Sequence, residues 1–159
     1  MPAFIHGSVE GVPDAILALN KLKAKVNLAT REATTRAGGV LRTTAVAEFN
    51  HGDAPHTRTG RLQDSITAWG VVQVGPARYM VQVNPTVIYS RIQELGGTIT
   101  PKEHEFLSWI GVRADGTVGR IYKRSVTLRP RPYLRPATES MYTKQPPIFS
   151  DAWRSAWSV

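Results

Sequence analysis

Residues 13–49 read PDAILALNKLKAKVNLATREATTRAGGVLRTTAVAEF. Apolar residues recur there at Ile16, Leu19, Leu22, Val26, Ala29, Ala33, Ala37 and Val40, always three or four apart. Such steps draw one stripe down one side of an α-helix. Pro13 suits a first turn, where its missing N–H costs nothing, and Asp14 suits the positive end of the helix dipole. Gly38-Gly39 interrupts the stripe, and each glycine costs about 1 kcal/mol in a helix interior. The expectation is two helices, or one kinked helix, over about 13–49. Lys21, Lys23, Lys25, Arg31, Arg36 and Arg42 fall mostly off the stripe.

On the amino-terminal side, residues 3–9 read as a short strand ending near Gly11. On the other side, residues 50–60 are rich in turn formers and read as a loop. The character then changes to β. Leu62 to Val74 and Tyr79 to Val83 are rich in β-branched and aromatic residues, with Gly75-Pro76 as a turn between them. Residues 87–95 read as a short helix, stopped by Gly96-Gly97. Trp109 to Val112 and Val118 to Tyr122 flank Ala114-Asp115-Gly116, a strong tight-turn signal. The run Arg129-Pro-Arg-Pro-Tyr-Leu-Arg-Pro136 is no central strand, because each proline deletes a ladder donor. Pro136 fits the first turn of a helix to about Tyr142, stopped by Gln145-Pro146-Pro147. The last residues carry Trp153 and Trp157, four apart, with Ser150 as an N-cap.

Helices first and strands later predict an α+β fold rather than alternating βαβ units. Long N-terminal helices should pack on an antiparallel sheet, with a long hairpin or loop and short C-terminal helices. One domain is expected over 1–145, with 146–159 as a tail or arm. A chain of 159 residues that is 42% hydrophobic suffices for one ordinary core. Nothing suggests a targeting segment or a membrane helix, so a soluble protein made in the cytosol is expected.

Cysteine is absent, which excludes a disulfide scaffold, a thiol nucleophile and a cysteine-ligated zinc. The formal net charge is +8, and arginine supplies 14 of the 20 bases. Arginine pairs with carboxylate or phosphate through a planar fork, so this bias suits an acidic protein partner or DNA. Part of the excess also serves solubility. The excess is concentrated: residues 113–135 hold Arg113, Arg120, Lys123, Arg124, Arg129, Arg131 and Arg135 against Asp115 alone, with Tyr122 and Tyr133 interleaved. Such a stretch grips phosphates or seats on an acidic protein rim. No groove-reading motif accompanies it.

Signals for catalysis are thin. His51, Asp53 and His56 share a loop, His104 lies between Glu103 and Glu105, and His6 stands apart. A hydrolase or nuclease can be drawn from His51, Asp53, His56 and Glu103. The spacing fits no metal-site motif, however, and exposed loop polar residues are the simpler reading. Ser65 lacks a Gly-x-Ser-x-Gly elbow, and no glycine-rich phosphate loop occurs. The expectation is no enzyme, no metal and no cofactor.

Four segments, in order, resemble one family: Thr59-Gly60-Arg61-Leu62-Gln63-Asp64-Ser65-Ile66; Tyr89 to Gly97, ending Gln93-Glu94-Leu95-Gly96-Gly97; Gly97-Thr98-Ile99-Thr100-Pro101-Lys102, leading to Phe106-Leu107; and Arg131-Pro132-Tyr133-Leu134-Arg135-Pro136-Ala137. The pattern is similar to the neck and tail-completion proteins of long-tailed bacteriophages, relatives of the minor tail protein Z type of lambda-like phages. It spans about residues 10–142. Family members often have His-Glu-Phe-Gly where this chain has Gln93-Glu94-Leu95-Gly96, and the tail after Pro147 looks like an addition. The resemblance implies a non-enzymatic virion protein of the neck, assembled in the bacterial cytoplasm. It implies a homo-oligomeric ring, hexameric in the family, around the genomic DNA between head connector and tail tube, with stopper and terminator proteins as neighbours. Ring contacts are heterologous, one patch meeting a different patch. Arginines and aromatics suit them, so the candidate interface residues are Arg113, Arg120, Lys123, Arg124, Arg129, Arg131, Tyr133, Arg135, Trp153 and Trp157. A DNA-binding protein without enzymatic activity is the alternative.

Overall fold

The structure is a computed structural model that describes residues 11–52, 55 and 59–158. The apolar stripe becomes one helix, α1 (Val12–Ala47), followed by a 3-10 turn, Glu48–Asn50. Pro13 and Asp14 occupy its first turn. Gly38-Gly39 does not divide it. Gly38 is buried, and a Cβ there would lie 2.6 Å from Cγ2 of Val81. The glycine therefore admits the Val81 side chain close against the helix, a packing gain that offsets its low helix propensity. The strand read into residues 3–9 lies outside the described residues.

A helical turn, α2 (Arg61–Asp64), opens the next segment where β structure was expected. Gly60 takes a left-handed conformation, φ 72°, and its carbonyl accepts from the Asp64 N–H. The turn points both Leu62 and Ile66 into the core, four residues apart. A long antiparallel ribbon follows in two pieces. Strand β1 (Ile66–Ala68) and β2 (Val72–Gly75) run out, and β3 (Arg78–Met80) and β4 (Val83–Pro85) return. β1 pairs with β4 and β2 with β3, and the Trp69 N–H donates to Gln82 between them.

Helix α3 (Ser90–Leu95) is shorter than the span expected for it and ends at Gly96. A second ribbon follows, with β5 (Gly97–Ile99), β6 (Leu107–Val112), β7 (Val118–Lys123) and β8 (Val126–Leu128). β6 pairs with β7 around the expected Asp-Gly turn, and β5 pairs with β8 at the base. In the turn, Asp115 Oδ1 accepts from the Thr117 N–H and hydroxyl, and Gly116 sits at φ 82°. Those two donors hold the Asp115 carboxyl below its ordinary value.

The C-terminal half departs from the short helices expected. One helix, α4 (Leu134–Trp157), runs straight through Pro146 and Pro147. Two prolines cost several kcal/mol in an isolated helix. Here the carbonyls they orphan belong to Tyr142 and Thr143, both exposed and open to water. Meanwhile Met141 before the prolines and Ile148, Phe149 and Ala152 after them are drawn to the molecule's interior. Packing overrides propensity. Ser150 is no N-cap; it lies mid-helix, its hydroxyl donating to the Pro147 carbonyl. Residues 146–157, read as a tail or arm, form the second half of α4 and lie along α1.

The architecture is α+β, with a pair of long helices and antiparallel ribbons of short strands. The helices run antiparallel: Ala45 clusters with Ala137, and Ala29 and Ala33 cluster with Ala152. Alanines along this seam let the backbones approach closely. The other buried centre joins Ala45 and Ala137 to Leu62, Ile66 and Tyr133, with Phe49 and Val83 packed against it. α1 outruns α4. Trp157 reaches the level of Val26, so the turns bearing Ile16 and Leu19 stay exposed.

Candidate interface

The basic stretch divides into two environments. Arg113, Arg120, Lys123 and Arg124 belong to the β6–β7 hairpin or its ends and are exposed. Arg113 donates to the Arg120 carbonyl at 3.4 Å, and its guanidinium lies over Gly119, where a Cβ would meet it at 2.6 Å. Arg124 pairs with Glu105 at 3.2 Å and stands 5.7 Å from the centre of the Phe106 ring. Arg120 and Lys123 have no carboxylate partner among the described residues.

Arg129, Arg131, Tyr133 and Arg135 lead into α4, where the chain is anchored rather than free. The Arg131 N–H donates to the Gln93 carbonyl at 2.8 Å. The Glu94 carboxylate then receives three backbone N–H groups: Tyr133 and Leu134 on Oε2 at 2.8 and 3.0 Å, and Arg135 on Oε1 at 2.8 Å. These are the donors a helix leaves unsatisfied at its start. A carboxylate there also meets the positive end of the dipole. α4 has no capping side chain or acidic first turn of its own, so α3 caps it across 39 or more residues. Gly96 completes the joint. Its φ is 69°, and a Cβ would lie 2.7 Å from Pro130 N and 2.9 Å from the Leu128 carbonyl oxygen.

Tyr133 is fully buried against Phe49, ring centres 4.9 Å apart. Its side chain is core, and on its own it offers nothing to a partner. The Arg135 side chain is exposed and reaches Glu139 at 3.3 Å. Arg131 is half-buried and, with Arg61, Gln63, Tyr89 and Gln93, lines an open cleft of about 200 Å³. Trp153 donates from Nε1 to the Thr30 hydroxyl and packs edge-on against Phe149, which ties α4 to α1. Trp157 is more exposed, at 62%, beside Leu19, Leu22 and Val26. The ten interface candidates therefore do not form one patch.

The histidines do not converge. His51 and His104 are exposed, while His6, Asp53 and His56 lie outside the described residues. Among the described residues no three His, Asp or Glu side chains group as metal ligands. The Ser65 hydroxyl donates to the Leu62 carbonyl.

Two features escaped the sequence reading. The Glu94 cap is set by tertiary structure, and nothing local marks it. The apolar outer face of the β6–β7 hairpin was accessible: alternation through Ile110, Val112, Val118 and Tyr122, folded at Asp115-Gly116, places these residues on one side. No family model matches the chain, and neither a curated protein nor a solved structure is found similar to it.

Proposed function

We propose that this chain is a structural, non-enzymatic subunit of a bacteriophage neck, completing the tail and joining it to the head connector. In this reading copies form a ring around the DNA channel, hexameric as in the resembled family. Stopper, connector, terminator or tail-tube proteins are its neighbours in the virion. The observation that supports it best is where the four family-like segments lie. Leu62 and Ile66 from the first and Tyr133 and Ala137 from the fourth share one buried cluster. Gln93, Glu94 and Gly96 from the second hold the start of α4. Gly97–Ile99 from the third pairs with the strand that leads into the fourth. Segments that combine into one joint are constrained together, which is how an ordered set of weak motifs acquires meaning.

The test is charge reversal at Arg129 and Arg131 in the assembling phage. Full-length tails and filled heads that fail to join are expected. Normal infectious particles would sink the assignment of this segment. DNA binding remains the second reading, favoured by Arg120 and Lys123, which have no carboxylate partner among the described residues, and by Lys21, Lys23 and Lys25 exposed on α1. Tight duplex binding at about 0.15 M salt, with a steep salt slope, would select it.

A further inference from the structure

We infer that the outer face of the β6–β7 hairpin docks on a protein surface with an apolar centre and a rim of carboxylates. The inference deepens the neck reading and rests on it for where the partner is met, but the contact chemistry follows from the hairpin itself.

Register pairs Ile110 with Arg120, Val112 with Val118 and Ser108 with Tyr122, and all of these side chains lie on one face. On it Ile110 is 73% exposed, Val112 67%, Val118 73% and Tyr122 62%. The opposite face is different. Leu107 and Ile121 are half-buried, Trp109, 39% exposed, and Ile121 lie against Gly111, and the Arg113 guanidinium covers Gly119. The hairpin thus spends its own apolar contacts on one side and leaves a strip on the other. Neither strand makes an extended contact with any element except its partner strand. A lone two-stranded hairpin is marginal in water, and a contiguous apolar strip on it marks a surface that a partner covers.

Charge selects the partner. Arg120 stands within the strip without a carboxylate among the described residues, whereas Lys123 shares the opposite face with Leu107 and Arg124 is held by Glu105. An apolar centre with cationic neighbours is complemented by an apolar centre with carboxylates. A nucleic acid supplies phosphates but nothing for Ile110, Val112 and Val118, since single strands are held by stacking bases on aromatic rings. A second copy is a poor donor of carboxylates. Five of its 12 acids, Glu94, Glu105, Asp115, Glu139 and Asp151, are already engaged within the chain, and its formal net charge is +8.

The test uses the purified chain and three fluorescent probes in about 0.15 M salt: a random glutamate–tyrosine copolymer, polyglutamate of equal charge, and duplex DNA. The copolymer should bind at least about tenfold more tightly than polyglutamate. The double variant Val112→Asp/Val118→Asp should abolish that preference while leaving polyglutamate binding in place. Arg120→Glu should weaken both. Helical circular dichroism, thermal midpoint and hydrogen exchange in the Leu107–Lys123 ladder should stay as in the wild type, because these side chains are exposed. Absence of copolymer binding, equal binding of the two polymers, or insensitivity to the double variant would overturn the inference. So would preference for DNA, or self-association that the double variant removes. Head–tail joining is scored separately on particles, so either conclusion can fail while the other stands.

Discussion

Among the described residues Tyr133 is the largest fully buried side chain, and its hydroxyl finds no partner. Removing a buried, unpaired hydroxyl while keeping the ring's shape relieves a desolvation penalty. Tyr133→Phe should therefore stabilise the protein by about 1 kcal/mol, read by denaturant unfolding. A loss of similar size would show that the hydroxyl has a partner. Burial first, then the Glu94 carboxylate and Tyr89, push this phenol above its ordinary value of 10.0. The sign follows: the folded state resists ionisation more than the unfolded chain does. The stability due to the neutral phenol is complete below about pH 10 and declines as pH rises further. Subtracting the Tyr133→Phe profile from the wild-type profile isolates this loss from other alkaline titrations. A flat difference above pH 10 would contradict it. In the sequence this residue, between prolines in a basic run, looked like an anchor for a partner. Only the close packing of Phe49, Leu62 and Ile66 around it shows otherwise, and those residues are far away along the chain.

α4 shows what local rules capture and what they miss. Its start at Leu134 fits the Pro136 signal, but the cap belongs to Glu94, and no window of sequence contains both partners. Glu94→Ala strips an acceptor from three backbone donors. It should cost about 1–2 kcal/mol, as lost helix caps do. Glu94→Gln keeps one acceptor oxygen but loses the charge, and should fall between the two. Thermal unfolding of the three proteins checks the order. A Glu94→Ala protein as stable as wild type would mean that water serves these donors equally well. The stop read at Pro146-Pro147 failed for a related reason. Proline's penalty is local, whereas the seam that holds Ile148, Phe149 and Ala152 to Ala29 and Ala33 lies more than a hundred residues away in sequence. Where local and tertiary signals agreed, as for the Asp115-Gly116 turn and the helical stripe through Ala29, Ala33 and Ala37, the expected element is present, although the break or kink expected at Gly38-Gly39 is replaced by one continuous helix. The stripe marked α1 even across Gly38, although the reason for that glycine, Val81, comes from the link between β3 and β4.

Taken as a whole, the molecule is unevenly held. The two helices and the first ribbon share buried centres at Ala45, Ile66 and Tyr133 and at Ala33 and Ala152. The second ribbon is joined at its base through β5 and β8 and projects beyond it, with exposed side chains on its outer face and half-buried Leu107 and Ile121 beside exposed Trp109 and Lys123 on the other. Free energy of opening scales with the apolar contacts that must break, so the ends of this range should behave as separate units. In the free chain, amides in the cross-strand ladder from Leu107 to Lys123 should exchange by local opening. Their protection should fall well below that of α1 between Ala29 and Ala45, whose exchange requires separation from α4. Hydrogen–deuterium exchange followed by peptide or amide resonance measures both at once. Added denaturant should leave the ladder's exchange rates nearly constant, since a small opening exposes little surface, while it accelerates the α1 amides steeply. Equal protection and equal denaturant sensitivity would mean that the hairpin is part of the global core, and its outer strip would then lose its standing as a free docking face. Selective gain of protection in the ladder on adding the acidic aromatic copolymer would place the contact on the hairpin, independently of any affinity measurement.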